Sequence, residues 1–326
     1  MDDYGRLCEL RAEHLVEVRE PLVLVSQIQR SGGTLLSQLF DGHPECHAHP
    51  GELHLGHPHK LRWPTLDLAD APERWFESLY ERKVERYLRK GYSKASRKLT
   101  RGVDYDVLPF LFLPGLQRRI FLAAAQGARS ERDVLDAYFT SFFNAWLDNQ
   151  NLHRGPKRAV TAFAAAFAAR GDEVERFFAA YPDGRLVSIV RDPKGWFESA
   201  RRYKASYADL DAAVGEWLAS TAAAVDAKRS RPERVVLLSY EQLVREPERV
   251  MRGLAARVGI AFDETLLEPT FNGLPIRADS SERVSSYGIL AERADSHRRT
   301  VSADDGAQID RRAGEVYERA LALVER

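Results

Sequence analysis

The apolar positions fall into short unbroken runs alternating with stretches of helical spacing. Pro21 to Ile28 reads PLVLVSQI, nearly continuous and rich in β-branched residues, which predicts a strand buried on both faces of a parallel sheet. Gln29-Arg30-Ser31-Gly32-Gly33-Thr34 follows, and Leu35, Leu36, Leu39 and Phe40 then recur at helical spacing up to Asp41-Gly42, so the order is strand, glycine turn, helix. Residues 43–60 hold six histidines (His43, His47, His49, His54, His57, His59) among prolines and glycines, and are expected to be loop with little regular structure. Trp75, Phe76, Leu79, Tyr80, Val84 and Tyr87 form a helical stripe in an arginine-rich segment, and residues 57–130 are read as an inserted helical cap. A further helix should start at Ser130, capped three residues from Asp133, with Val134, Leu135, Tyr138, Phe139, Phe142, Phe143, Trp146 and Leu147 as its core face.

Arg185 to Val190, after the turn Pro182-Asp183-Gly184, and Val235 to Leu238 predict two more buried strands. Pro247 opens a helix that Gly259 follows. Strands alternating with helices imply an α/β fold with a parallel sheet. The tail from Ala278 to Gly306 is polar enough to include mobile loop.

Composition narrows the function classes. At 326 residues, 44% apolar and 29% charged, the chain suits one catalytic domain carrying the 57–130 insertion. Lysine plus arginine and aspartate plus glutamate number 48 each, so no overall field favours nucleic acid or an anionic membrane, and an anion site must be local. Cys8 and Cys46 form neither a disulfide framework nor a metal-ligand pattern, and are expected to be reduced thiols. The charged start MDDYGRLCEL is unlike a signal peptide, and no apolar run reaches the length of a membrane helix, so a cytoplasmic protein without a transmembrane segment is expected.

Small residues between a buried strand and a helix let backbone N–H groups converge on an anion, so Gln29 to Leu35 is a candidate phosphate cradle. It lacks the GxxxxGK[ST] spacing of nucleotide triphosphatases. Arg191 stands at the carboxyl end of a strand, where open α/β sheets place ligands, and Ser199 lies eight residues on; a guanidinium and a hydroxyl suit a phosphate monoester. The alternative for Arg191 is a structural ion pair with Asp192 or another neighbour.

Together these segments resemble the sulfotransferases that use 3′-phosphoadenosine 5′-phosphosulfate (PAPS). QRSGGTLLSQLFDGHP is similar to their 5′-phosphosulfate loop in its arginine-containing form, and VSIVRDPKGWFESARRY to their 3′-phosphate strand and helix. LSYEQLVREPERVMRGLAARVGI resembles a later strand and helix, and TFNGLPIRADSS the C-terminal loop of bacterial members, where Asp279 replaces a frequent asparagine. The resemblance implies a P-loop NTPase-like three-layer fold. It implies that Arg30, Ser31, Gly32, Gly33, Thr34 and Leu35 hold the phosphosulfate and that Arg191, Ser199 and Arg277 complete the cosubstrate site. It further implies PAPS as the cosubstrate, 3′,5′-ADP as the product, and no metal. Glu52, in HPGELHLG, lies about as far after the phosphate loop as the general-base glutamate of similar family members, and the resemblance implies that role for it; His47, His49 and His54 compete because imidazole titrates near neutrality. The acceptor is expected to be a hydroxyl of a carbohydrate, glycolipid or other small metabolite, for which the basic stretch Arg82 to Arg101 is a candidate patch. A nucleotide kinase and a catalytically silent 3′,5′-ADP-binding protein are the alternatives.

Overall fold

The computed structural model describes residues 2–55, 62–91, 108–276 and 286–325. Helix α1 (Asp3–Glu13) starts where the Asp2 carboxylate accepts from the Gly5 amide at 2.7 Å. The first apolar run forms strand β1 (Leu22–Val25), and the glycine turn opens α2 (Gly33–Leu39). Next come strand β2 (Cys46–Glu52) and helices α3 (Pro72–Leu79), α4 (Lys83–Lys90), α5 (Pro114–Ala124) and α6 (Glu131–Ala145). Ser130 caps α6 as expected, its hydroxyl accepting from the Asp133 amide at 3.1 Å.

Strand β3 (Ala159–Phe163) and helix α7 (Gly171–Ala180) lead to β4 (Arg185–Val190), α8 (Pro193–Arg201) and α9 (Leu210–Ser230). Strand β5 (Val235–Ser239), helices α10 (Tyr240–Arg245) and α11 (Pro247–Val258), a short hairpin of β6 (Thr270–Phe271) with β7 (Leu274–Pro275), and α12 (Ala303–Leu321) complete the chain. Gly259 stops α11 at φ +84°, a left-handed conformation that glycine adopts without strain.

The five long strands make one all-parallel sheet in the order β2-β3-β1-β4-β5. Val23, Val25, Val187, Ile189, Val236 and Leu238 pack on α2, α10 and α11 through Leu36, Leu39, Leu243 and Leu254. Leu22, Leu24, Val160, Ala162 and Leu186 join the aromatic side chains of α6 and α7. Val190, at the end of β4, shares a cluster with Trp196, Trp217 and Ile309 of α8, α9 and α12. Helices therefore cover the sheet on both sides, which is why its strands read as apolar runs rather than alternating ones.

Two strands were not legible. Residues 43–60, expected to be irregular, contain β2, and Ala159–Phe163 was read as no element at all. Histidine, proline and alanine carry little β preference, and here tertiary burial decides: the rings of His47 and His49 pack against Phe143 and Phe142 of α6 at 5.0 and 4.7 Å. The stripe from Trp75 to Tyr87 is two helices rather than one, broken at Tyr80-Glu81-Arg82. Trp75, Phe76, Leu79 and Val84 lie in the same apolar cluster as Leu22 and Leu24, so the described part of the insertion packs on the main core. Residues 56–61 and 92–107 of the insertion, and 277–285 of the tail, lie outside the described residues.

Candidate functional site

Arg30, Arg191 and Ser199 come together at the carboxyl ends of the strands, beside β1. This central strand has β3 on one side and β4 on the other, so the chain changes direction across it. Open α/β sheets place their ligand crevice at such a point.

The turn after β1 is tightly wound. Arg30 has φ +72° and Gly32 φ +100°, and a positive φ at a non-glycine residue is a strain that only surrounding contacts sustain. A Cβ on Gly32 would come within 2.6 Å of the Tyr240 ring, and one on Gly33 within 1.8 Å of Gln27 Nε2 and 2.6 Å of the Phe163 ring. Both glycines are thus required for the backbone to lie against the ends of β3 and β5. Gly32 stands at the N-cap of α2 with no side-chain cap hydrogen bond, and Ser31, Thr34 and Leu35 lie in the same turn. Ser31 is buried, while Thr34 and Leu35 are half-buried.

Arg191 follows β4 and is 7% exposed. Its Nη1 donates to the Arg30 carbonyl at 2.8 Å, and its guanidinium lies 4.4 Å from the centre of the Tyr240 ring. The ion pair with Asp192 does not form. Asp192 instead caps α8, accepting from the amides of Lys194 at 2.8 Å and Gly195 at 3.0 Å. Arg191 Nε is buried and has no hydrogen-bond partner among the described residues, a donor suited to an anionic oxygen. Ser199, two turns along α8, accepts from Arg30 Nε at 3.1 Å, and the Arg30 guanidinium also lies 5.3 Å from the Tyr203 ring. The loop arginine and the α8 serine, 169 residues apart, are in direct contact. Trp196 of α8 ties the same two segments, its indole N–H donating to the Gln29 carbonyl at 2.7 Å.

Glu52 ends β2. Phe163 pairs with Val25 on one side and with Glu52 on the other, which puts Glu52 two strands, roughly 9–10 Å, from the end of β1. Its side chain is 30% exposed and lies 3.6 Å from His54 Nε2. His49 has a different setting: its side chain is fully buried, with Nε2 2.8 Å from Glu81 Oε1 and Nδ1 3.4 Å from the Gly51 carbonyl. Burial, reinforced by Lys157, holds the His47 imidazole down at about 3. Burial also lowers His54, although Glu52 pulls it the other way. Arg277 lies outside the described residues.

Sequence reading missed four contributors: Gln27, Trp196, Tyr240 and Glu241. Tyr240 directly follows β5, the same strand-end position that singled out Arg191, and that position was its available signal. Glu241 is buried, which pushes its carboxyl up, and Oε1 accepts from the Asp192 amide at 3.1 Å, so it fixes the start of α8.

Comparison with known proteins gives the family and the fold. Residues 21–264 match the sulfotransferase family. The sulfotransferase domain of the olefin synthase of Synechococcus PCC 7002 superposes with a TM-score of 0.51 at 20% identity, over 91% of this chain and 95% of that domain. The sulfotransferase domain from the curacin biosynthetic pathway gives 0.51 at 17% identity, over 90% of this chain and 98% of that one. At these identities the likeness is one of fold. No curated protein matched the chain.

Proposed function

This chain belongs to the sulfotransferase family, and we propose that it moves the sulfuryl group of PAPS in line to the hydroxyl of a carbohydrate, glycolipid or other small metabolite. The observation that carries this reading is the junction of Arg30, Arg191 and Ser199, which brings two guanidinium groups and a hydroxyl together beside a glycine-wound turn. Arg191 Nε and Ser199 Oγ are assigned to the 3′-phosphate. Arg30, with the backbone of Ser31, Gly32, Gly33, Thr34 and Leu35, is assigned to the 5′-phosphosulfate.

In the reaction so assigned, the acceptor oxygen forms a bond to sulfur while the bond from sulfur to the bridging phosphate oxygen breaks. 3′,5′-ADP leaves with that electron pair, and the acceptor proton passes to Glu52. Charge spreads over peripheral oxygens as it does in phosphoryl transfer, so preorganised donors such as Arg30 and the loop amides supply much of the stabilisation. Glu52 is preferred to His49 as the base because its side chain is partly exposed, whereas both His49 ring nitrogens already face protein acceptors. Among the described residues no helix is long and apolar enough to cross a membrane.

Calorimetric titration with 3′,5′-ADP, against 5′-AMP and ATP, tests the proposal. Micromolar binding that collapses without the 3′-phosphate is expected. Binding of ATP in place of 3′,5′-ADP would overturn the reading in favour of a kinase.

A further inference from the structure

The stretch carrying Glu52 is not held by a regular ladder. Ala48 stands opposite Thr161 and Glu52 opposite Phe163, so β2 advances four residues while β3 advances two, and Gly51 takes φ +88° within the resulting bulge. A bulge re-aims the side chain that follows it, at the cost of local pairing. On the sheet side one bond takes up the slack, from the Leu53 amide to the Phe163 carbonyl at 2.6 Å.

The opposite side is taken by Glu81, in the break between α3 and α4. Its side chain is fully buried. Oε1 accepts from His49 Nε2 and from the Tyr138 hydroxyl, each at 2.8 Å, and Oε2 accepts from the His54 amide at 2.8 Å with Lys83 Nζ 3.1 Å away. One carboxylate therefore grips His49, where the bulge begins, and the amide of His54, two residues after Glu52, and Tyr138 fixes it to α6. Burial pushes the Glu81 carboxyl up, but Lys83 and His49 together outweigh it and keep the group ionised. For cohesion alone a well-packed apolar side chain serves as well as a buried charge. What the carboxylate adds is direction, because its donors arrive from three separate elements.

We infer that Glu81 is a positioning residue which holds the bulged end of β2 so that Glu52 meets the acceptor hydroxyl. The inference rests on the reading of Glu52 as the base. It makes the inserted helical cap part of the proton-transfer machinery.

The test compares Glu81→Gln, Glu52→Gln and the double variant. Turnover is followed as 3′,5′-ADP released from PAPS, with octyl β-D-glucoside as the acceptor probe and water as the acceptor always present. Glu81→Gln should lower kcat roughly tenfold or more, at unchanged 3′,5′-ADP affinity, because a displaced base loses its proton-transfer contribution. The double variant should be no slower than Glu52→Gln, to within about twofold, since residues acting through one another are not additive. Losses that multiply, or an unchanged kcat in Glu81→Gln, overturn the role of Glu81 and leave that of Glu52 standing. An unchanged kcat in Glu52→Gln, or a parent chain that releases no 3′,5′-ADP beyond spontaneous breakdown, removes the base reading and Glu81 with it. If Glu81→Gln shows no cooperative melt, Tyr138→Phe decides by the same comparison in both Glu52 backgrounds, because it deletes one donor to Glu81 and keeps the ring.

Discussion

Replacing Arg191 with alanine separates the two halves of the crevice. The guanidinium is buried, gives one N–H to the Arg30 carbonyl at 2.8 Å, and keeps Nε without a partner among the described residues. A charge-assisted hydrogen bond to a 3′-phosphate contributes about 1.5–3 kcal/mol. At 1.4 kcal/mol per factor of ten, 3′,5′-ADP should bind roughly 10- to 150-fold more weakly. Calorimetry on parent and variant reads this directly. 5′-AMP lacks the 3′-phosphate, and its affinity should differ little between the two proteins. A thermal melt taken alongside reports the loss of the bond to Arg30, worth about 1 kcal/mol or somewhat more because its donor is charged. Unchanged 3′,5′-ADP affinity would refute the assignment. So would a parallel loss for 5′-AMP, since the effect would then be a general collapse of the loop.

Glu52→Gln should lower turnover by about 10²–10⁴-fold, the usual span of general-base contributions, with 3′,5′-ADP affinity unchanged; steady-state rates beside calorimetry check it, and a preserved kcat rejects Glu52. Gly33→Ala should weaken 3′,5′-ADP binding and lower the melting temperature, because its Cβ would fall 2.6 Å from the buried Phe163 ring; a variant that still binds as tightly as the parent shows that the loop can relax. His47 titrates at about 3 in the folded chain, below its ordinary 6.5, so the unfolded chain takes up that proton first as pH falls. Stability fully present above pH 6.5 should therefore drain away towards pH 3, with a slope of up to about 1.4 kcal/mol per pH unit from this group. Melting temperatures of His47→Leu should be flatter than the parent's across that window, and parallel curves would contradict the reasoning.

The parts of the site legible in the chain were those marked by punctuation. A run such as LVSIV ending in Arg191-Asp192-Pro193, or PLVLV ending in a glycine turn, announces both a buried strand and what stands at its tip. Arg30, Arg191 and Ser199 were located in this way, and the structure brings them together. Glu52 had no such mark, since the strand that ends on it is built from Cys46, His47, Ala48, His49 and Pro50, and its pairing comes from the aromatic wall of α6. Glu81 was hidden for another reason. Its flanking residues keep helical spacing through the break, so periodicity read one helix where the chain turns and buries a carboxylate.

The central place of β1 also bears on how the molecule is made. Val23 pairs with Thr161 on one side and with Arg185 on the other, so both neighbours of the strand that bears the phosphate turn are translated long after it. At ordinary ribosomal speeds of about 5–20 residues per second, the gap lasts roughly 8–30 s. Throughout that interval a four-residue apolar strand waits with both edges unsatisfied, the state most prone to pairing with another nascent chain. Yield of the active protein should accordingly depend on chaperone supply and on slow synthesis at low temperature more than on the stability of the finished fold.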